Sequence, residues 1–207
     1  MKPRLLLATG NPHKLEEFSA LLHSLNVSLL SLRDIGDMEM PEEPGETFEQ
    51  NALLKARYCT GISGLPALAD DSGLEVDALG GEPGVRSNRW AGPDKTDADR
   101  VHLLLERMRD VPKETRTARF VCVVAVVTPE GEERTFHGIL EGMLTTAPRG
   151  TGGFGYDPIL YLPELGRTVG ELSAEEKNAL SHRARAIKAT IPWLRAYIGH
   201  ITADPGT

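Results

Sequence analysis

Apolar positions along this chain fall into short runs that alternate with helical stripes. Residues 4–8 (Arg-Leu-Leu-Leu-Ala) are a brief apolar run bounded by turn residues, which predicts a buried strand. Thr9-Gly10-Asn11 follows, then Pro12. Asn favours the N-cap and Pro the first helical position. Leu15, Phe18, Leu22 and Leu25 then recur at helical spacing, so the chain opens strand, tight turn, helix. Thr47 and Gln50 form a capping box for a second helix, with Phe48, Ala52, Ala56 and Cys59 on one face. Residues 66–70 read as a short strand running into a polar turn, and the Gly- and Pro-rich stretch 80–95 as a long loop with work to do. A third helix is predicted over 96–108, with Val101, Leu104, Leu105 and Met108 inward.

Residues 116–127 read as a strand whose last part is apolar on both faces, as in a central strand covered by helices. Pro129-Glu130-Gly131 turns it back into a partner strand at 133–141, and short strands are expected near 142–146 and 157–162. A last helix starts near Ser173 with a capping box to Glu176. Its inward face is Leu180, Ala184, Ile187, Ile191, Leu194 and Ile198, and Pro192 is expected to bend or divide it. Helices alternate with strands, but a hairpin interrupts them. The pattern predicts an α/β fold: a mixed β-sheet covered by helices, in a single domain over residues 1–207.

Composition narrows the function. Two cysteines in apolar company, Cys59 and Cys122, exclude a disulfide framework. The longest apolar run, 121–127, is too short to span a bilayer, and residues 1–7 show no export signal. A cytoplasmic protein with no membrane partner is expected. A net charge of −7 argues against nucleic acid as the main partner. Asp34, Asp37, Glu39, Glu42, Glu43, Glu46 and Glu49 fall within residues 34–50 without a base, whereas Lys177, Arg183, Arg185, Lys188 and Arg195 fall within 177–200 without an acid. One segment suits a hard cation and the other an anion, though two solvated faces would give the same pattern.

Four segments carry candidate chemistry. Thr9-Gly10-Asn11-Pro12-His13-Lys14 combines a helix N-terminus with a hydroxyl, an amide and an ammonium, which suits phosphate. Asp70 and Asp71 are adjacent carboxylates at a strand end and should point to opposite faces. Residues 150–158 match GxGxxG, but a strand follows rather than a helix, so a dinucleotide-binding turn is rejected. Glycines beside Phe154 and Tyr156 instead suit a loop against a flat ligand. In residues 175–183, Lys177 and Ser181 lie one turn apart, with His182 and Arg183 expected at the helix edge.

Five motifs together resemble the inosine triphosphate pyrophosphatase family, which acts on deaminated purine nucleoside triphosphates such as dITP and XTP, in its bacterial branch. They are Ala-Thr-Gly-Asn-Pro-His-Lys (8–14), Glu-Thr-Phe-Glu-Gln-Asn-Ala-Leu-Leu-Lys-Ala (46–56), the run 69–85 beginning Ala-Asp-Asp-Ser-Gly, Gly-Thr-Gly-Gly-Phe-Gly-Tyr-Asp-Pro (150–158) and Glu-Lys-Asn-Ala-Leu-Ser-His-Arg (176–183). They occur in the family's order and span nearly the whole chain. The resemblance implies two lobes with the nucleotide cleft between them and a homodimer. It implies a magnesium-dependent enzyme that converts ITP, dITP or XTP to the monophosphate and pyrophosphate. It assigns Asp71 as the catalytic carboxylate and Glu43 with Asp71 as metal carboxylates. Thr9, Gly10, Asn11 and Lys14 would bind the triphosphate. Ser72, Phe154, Gly155, Tyr156, Asp157 and Lys177 would bind the nucleotide, with His182 and Arg183 near the purine edge. Gln50 departs from the family, whose members often carry Glu there. Two other readings are a pyrophosphatase for other modified nucleotides and a non-catalytic nucleotide-binding regulator. Lys14 together with Asp71 speaks against the regulator, because a sensor needs no water-activating carboxylate.

Overall fold

The computed structural model describes residues 2–36 and 39–203; Met1 and Asp37 lie outside the described residues. Its elements are β1 (Arg4–Leu7), α1 (Pro12–Leu22), β2 (Ser28–Leu30), α2 (Phe48–Ser63), β3 (Ala67–Val76), α3 (Asp97–Arg107), β4 (Thr117–Val127), β5 (Glu133–Leu144), β6 (Leu160–Leu162), β7 (Arg167–Thr168), α4 (Ala174–Leu180) and α5 (His182–Ala203). One sheet joins all seven strands in the order β2-β1-β3-β4-β5-β6-β7. β1 pairs in parallel with β2 and β3, with Leu6 opposite Ala67, while β5–β6 and β6–β7 are antiparallel. The sheet is therefore mixed, as the interrupted alternation predicts.

The chain divides into two compact units: residues 1–71, 122–138 and 183–207, and residues 72–121 and 139–182. In the first, Leu5, Leu7 and Leu68 of the strands pack with Phe18 and Leu22 of α1 and with Ile187 and Leu194 of α5. In the second, Leu104 and Met108 pack with Leu74, Phe120, Leu144 and Leu160. β4 is buried from Phe120 to Val127, the two-sided burial expected of a covered central strand.

The helix starts follow from the local sequence. Asn11 Oδ1 accepts the backbone N–H groups of His13 and Lys14, at 2.9 and 3.3 Å. Thr47 and Gln50 close a capping box at α2, as do Thr96 and Asp99 at α3 and Ser173 and Glu176 at α4.

Three expectations need correction. β3 does not end at Asp70 but runs on to Val76. Asp-Ser-Gly is favourable turn chemistry, yet Leu74 and Val76 are both fully buried, and that burial holds the segment extended. The strands anticipated at 133–141 and 142–146 are one strand, β5. Finally, the last helical stretch breaks at Ser181, whose backbone is extended (φ −63°, ψ 160°), and not at Pro192, which lies inside the continuous α5. β2 and β7, three and two residues long, carry too little alternation to be read from sequence.

Packing in the second unit sets a measurable cost. Leu104→Ala should lower the unfolding free energy by about 2–5 kcal/mol through the cavity it leaves. The same change at Leu165, which is 42% exposed, should cost under about 0.5 kcal/mol. Denaturant unfolding of both variants checks this.

Candidate active site

The first unit gathers most of its charged chemistry around β3. Successive side chains on a strand leave from opposite faces, so adjacent aspartates meet different neighbours. Asp70 takes its partners from α1 and α5. Both its oxygens lie 3.0 Å from Lys14 Nζ, and Arg183 Nε donates to Oδ2 at 3.2 Å. The Cys122 thiol, on β4, lies 3.8 Å from the same oxygen. Arg183 Nη1 also donates to Glu17 Oε2 at 2.5 Å. Burial alone would raise the Asp70 carboxyl, but the charges of Lys14, Arg183 and Lys55 outweigh it and hold the group well below the usual carboxylate range. The Cys122 thiol is pushed far up by burial, with Asp70 adding to the effect.

Asp71 takes its partners from α2. Asn51 Nδ2 donates to Oδ2 at 3.0 Å, and Lys55 Nζ stands 3.7 Å from Oδ1. The same ammonium donates to Glu43 Oε1 at 2.9 Å. Burial raises the Asp71 carboxyl and Glu43 adds to the rise, against the opposing pull of Lys55, Asn51 and Lys14. The Lys55 ammonium would lose its proton more easily on burial, but Asp71, Asp70 and Glu43 reverse that and raise it.

Two carboxylates thus converge on one position that a cation already occupies, here an ammonium. Hard oxygen donors of this kind fit magnesium, which takes one or two protein carboxylates and completes its shell with phosphates and water. Among the described residues, no cluster of three or more His, Cys, Asp or Glu side chains is arranged to hold a metal by itself. Gln50 serves the helix start instead: its Oε1 accepts the N–H of Glu46 at 2.8 Å and of Thr47 at 3.3 Å.

Other residues of the phosphate-type segment are placed at the end of β1. Thr9 Oγ1 accepts the Asn11 N–H at 3.2 Å, and the Asn11 side chain caps α1. Gly10 is exposed. This turn delivers Lys14 to Asp70 from the first turn of α1.

The second unit holds the other candidates. Phe154 lies in a turn fastened by Asp157, whose Oδ2 accepts the Phe154 N–H at 2.9 Å. Gly153 has φ +74°, and a Cβ there would run into that same carboxylate, so only glycine fits this turn. Lys177 Nζ donates to Asp157 Oδ2 at 2.7 Å and stands 4.4 Å from the Phe154 ring centroid. The Gly155 N–H donates to Asp97 Oδ2 at 2.6 Å. Tyr156 belongs to the core rather than to an open loop, and its hydroxyl donates to the Ser87 carbonyl at 3.0 Å. His182 stacks on Phe120, with centroids 4.8 Å apart and planes 26° apart. Ser72 is half-buried on β3.

The structure therefore brings together Lys14, Asp70 and Arg183 and, separately, Glu43 with Asp71; within the other unit it joins Phe154, Asp157 and Lys177. His182 and Arg183 are not at a helix edge as the sequence suggests. Both are buried, because the break at Ser181 starts α5 afresh and turns them inward. Three residues with direct roles in these networks carry no assignment from sequence: Glu17, Asn51 and Lys55. A signal existed for two of them. Asn51 and Lys55 share the inward stripe of α2 with Phe48, Ala52 and Cys59, and a polar residue on such a stripe needs a buried partner.

The Ham1 family profile matches residues 5–193. A dITP/XTP pyrophosphatase of Symbiobacterium thermophilum is 54% identical over 197 residues, covering 94% of this chain and 96% of that protein. A dITP/XTP pyrophosphatase of Geobacter sulfurreducens is 52% identical over 184 residues, covering 89% and 92%. Among solved structures, a HAM1 protein from Coxiella burnetii matches with a TM-score of 0.86 at 41% identity, covering 93% of this chain and 98% of that one. The chain belongs to the Ham1 family.

Arg183 is 1% exposed between Asp70 and Glu17, so its removal leaves the buried Asp70 and the half-buried Glu17 short of a cation. Arg183→Ala should cost about 3–5 kcal/mol of stability. Guanidinium unfolding measures this, and a loss below about 1 kcal/mol would show that the network does not hold the unit together.

Proposed function

We propose that residues 1–207 act as one nucleoside triphosphate pyrophosphatase domain. It hydrolyses deaminated purine nucleoside triphosphates (ITP, dITP and XTP) to the monophosphate and pyrophosphate. The observation that carries the reading is the convergence of Glu43 and Asp71 on one cation position, in a chain about half identical to relatives named dITP/XTP pyrophosphatase.

A triphosphate is polyanionic and the chain is acidic, so binding needs local cations. Lys14 and the N-terminus of α1 supply positive charge for the phosphates. Glu43 and Asp71 would hold magnesium together with the phosphates. When bound there, magnesium neutralises phosphate charge and makes water more acidic. Water attacks the α-phosphorus, the bond from that phosphorus to the bridging oxygen breaks, and pyrophosphate leaves with the bond's electrons. Asp71 accepts the proton of the attacking water. Lys55 holds the position between the two carboxylates when magnesium is absent.

The base is read in the second unit under this proposal. Phe154 stacks on the purine, and the Lys177 ammonium beside that ring donates to a 6-keto oxygen. Adenine has a donor at that position and is refused by donor facing donor. Arg183, committed to Asp70 and Glu17, supports the phosphate side instead. A homodimer working in the cytoplasm belongs to the same reading and rests on the resemblance alone.

Purified protein with magnesium and ITP, GTP or ATP, scored for pyrophosphate against orthophosphate, is the direct test. Preferred release of pyrophosphate from ITP is expected, and orthophosphate as the product would overturn the reaction. Asp71→Asn should lower kcat by roughly 10²–10⁴-fold, the usual worth of a general base, while ITP binding survives. Turnover within about threefold of the unaltered chain would remove Asp71 from the chemistry.

Lys14→Ala separates the phosphates. Binding of ITP should weaken far more than binding of IMP, measured by calorimetry on the two nucleotides. Equal losses would place Lys14 away from the distal phosphates.

A further inference from the structure

Asn51 lies fully buried in the second turn of α2, yet both ends of its amide are used. Its Oδ1 accepts the Gly45 N–H at 2.8 Å and its Nδ2 donates to Asp71 Oδ2 at 3.0 Å. The two neighbours fix which way the amide points: a backbone N–H needs an acceptor and a carboxylate needs a donor. Gly45 closes over the amide so tightly that a Cβ there would collide with the Asn51 side chain. Gly45 stands two residues from Glu43, and Asp71 sits on β3, so one side chain bridges the segments that carry both converging carboxylates.

A side chain that only packed α2 would need neither bond, because alanine and cysteine fill the neighbouring inward positions. An amide used at both ends fixes relative position. It occupies Asp71 Oδ2 and leaves Oδ1 facing the cation position, and it fixes the Gly45 backbone from which the Glu43 side chain reaches the same place. We infer that Asn51 is a positioning residue that sets the separation and aim of Glu43 and Asp71 together, so that the pair grips a divalent cation in the geometry the reaction needs. This rests on the pyrophosphatase reading above and adds a component to it.

Two variants test the link from opposite ends. Asn51→Ala removes the amide; Gly45→Ala forces it aside while leaving Asn51 and both carboxylates in the chain. Amide hydrogen exchange on metal-free protein should speed up over residues 42–46 in both variants and stay unchanged in α1. Steady-state hydrolysis of ITP should show kcat down about 10–100-fold in Asn51→Ala, as is usual when a group supporting a metal ligand is removed, with more magnesium needed for half-activity. KM for ITP should move less than about threefold, since the nucleotide's own contacts are untouched. Gly45→Ala should move kcat in the same direction. It also keeps the test decisive if Asn51→Ala does not fold.

Faster exchange with unchanged kcat would overturn the inference and leave Asn51 a loop anchor. A rise in KM alone would overturn it equally. Failure of the pyrophosphatase reading looks different: the unaltered chain then releases no pyrophosphate from ITP. Inactivity of Asp71→Asn beside unaltered Asn51→Ala and Gly45→Ala defeats only the role of Asn51.

Discussion

A carboxylate cannot stay ionised in a strand as buried as β3 without a cation beside it, and this chain places two in succession. Much of the first unit answers that demand. Asp70 is met by Lys14 from α1 and Arg183 from α5, and Asp71 by Lys55 from α2. Three helices are thereby tied to one strand by charge as well as by apolar packing. The two aspartates settle differently. Asp70 lies against two cations at hydrogen-bond distance and stays ionised; Asp71, with a single ammonium at 3.7 Å, is left closer to neutrality. One carboxylate is held tightly by two cations, and its neighbour more loosely by one.

The second unit uses the same device on a smaller scale. Asp157 gathers the Phe154 N–H and the Lys177 ammonium, so an aromatic ring in a glycine-rich turn gains a fixed position. Lys177 arrives from α4, a helix of only seven residues. Its start is secured by Ser173 and Glu176, and Glu176 is held in turn by Arg167, which lowers its carboxyl to about 2. A short helix holds Lys177 in place here because its cap is supported from outside.

Local signals made much of this legible. Capping boxes at Thr47 and Ser173 and the Asn-Pro start of α1 place three of the helices, since each start is decided within four residues. Adjacent aspartates on an extended segment announced two different environments. What could not be read depends on distant residues. β3 continues past Asp71 because Leu74 and Val76 have a core to enter, and that core is built from α3 and β5 residues far along the chain. Arg183 lies where its pattern shows a helix edge, yet the Ser181 break turns it to Asp70 and Glu17. Asn51 and Lys55 went unread although the stripe of α2 carries them inward, and their partners at Gly45, Glu43 and Asp71 follow only from the fold.

The Cys122 thiol beside Asp70 has a consequence for the reactivity of the chain. Thiol chemistry runs through the thiolate. Burial and the adjoining carboxylate push Cys122 far from ionisation, and burial lifts Cys59 to about 11. Both thiols are shielded from solvent in the folded chain. Neither therefore offers a nucleophile to alkylating agents or peroxide at neutral pH. A sulfur atom sits against the charged network of β3, yet that network is insulated from the redox state of its surroundings.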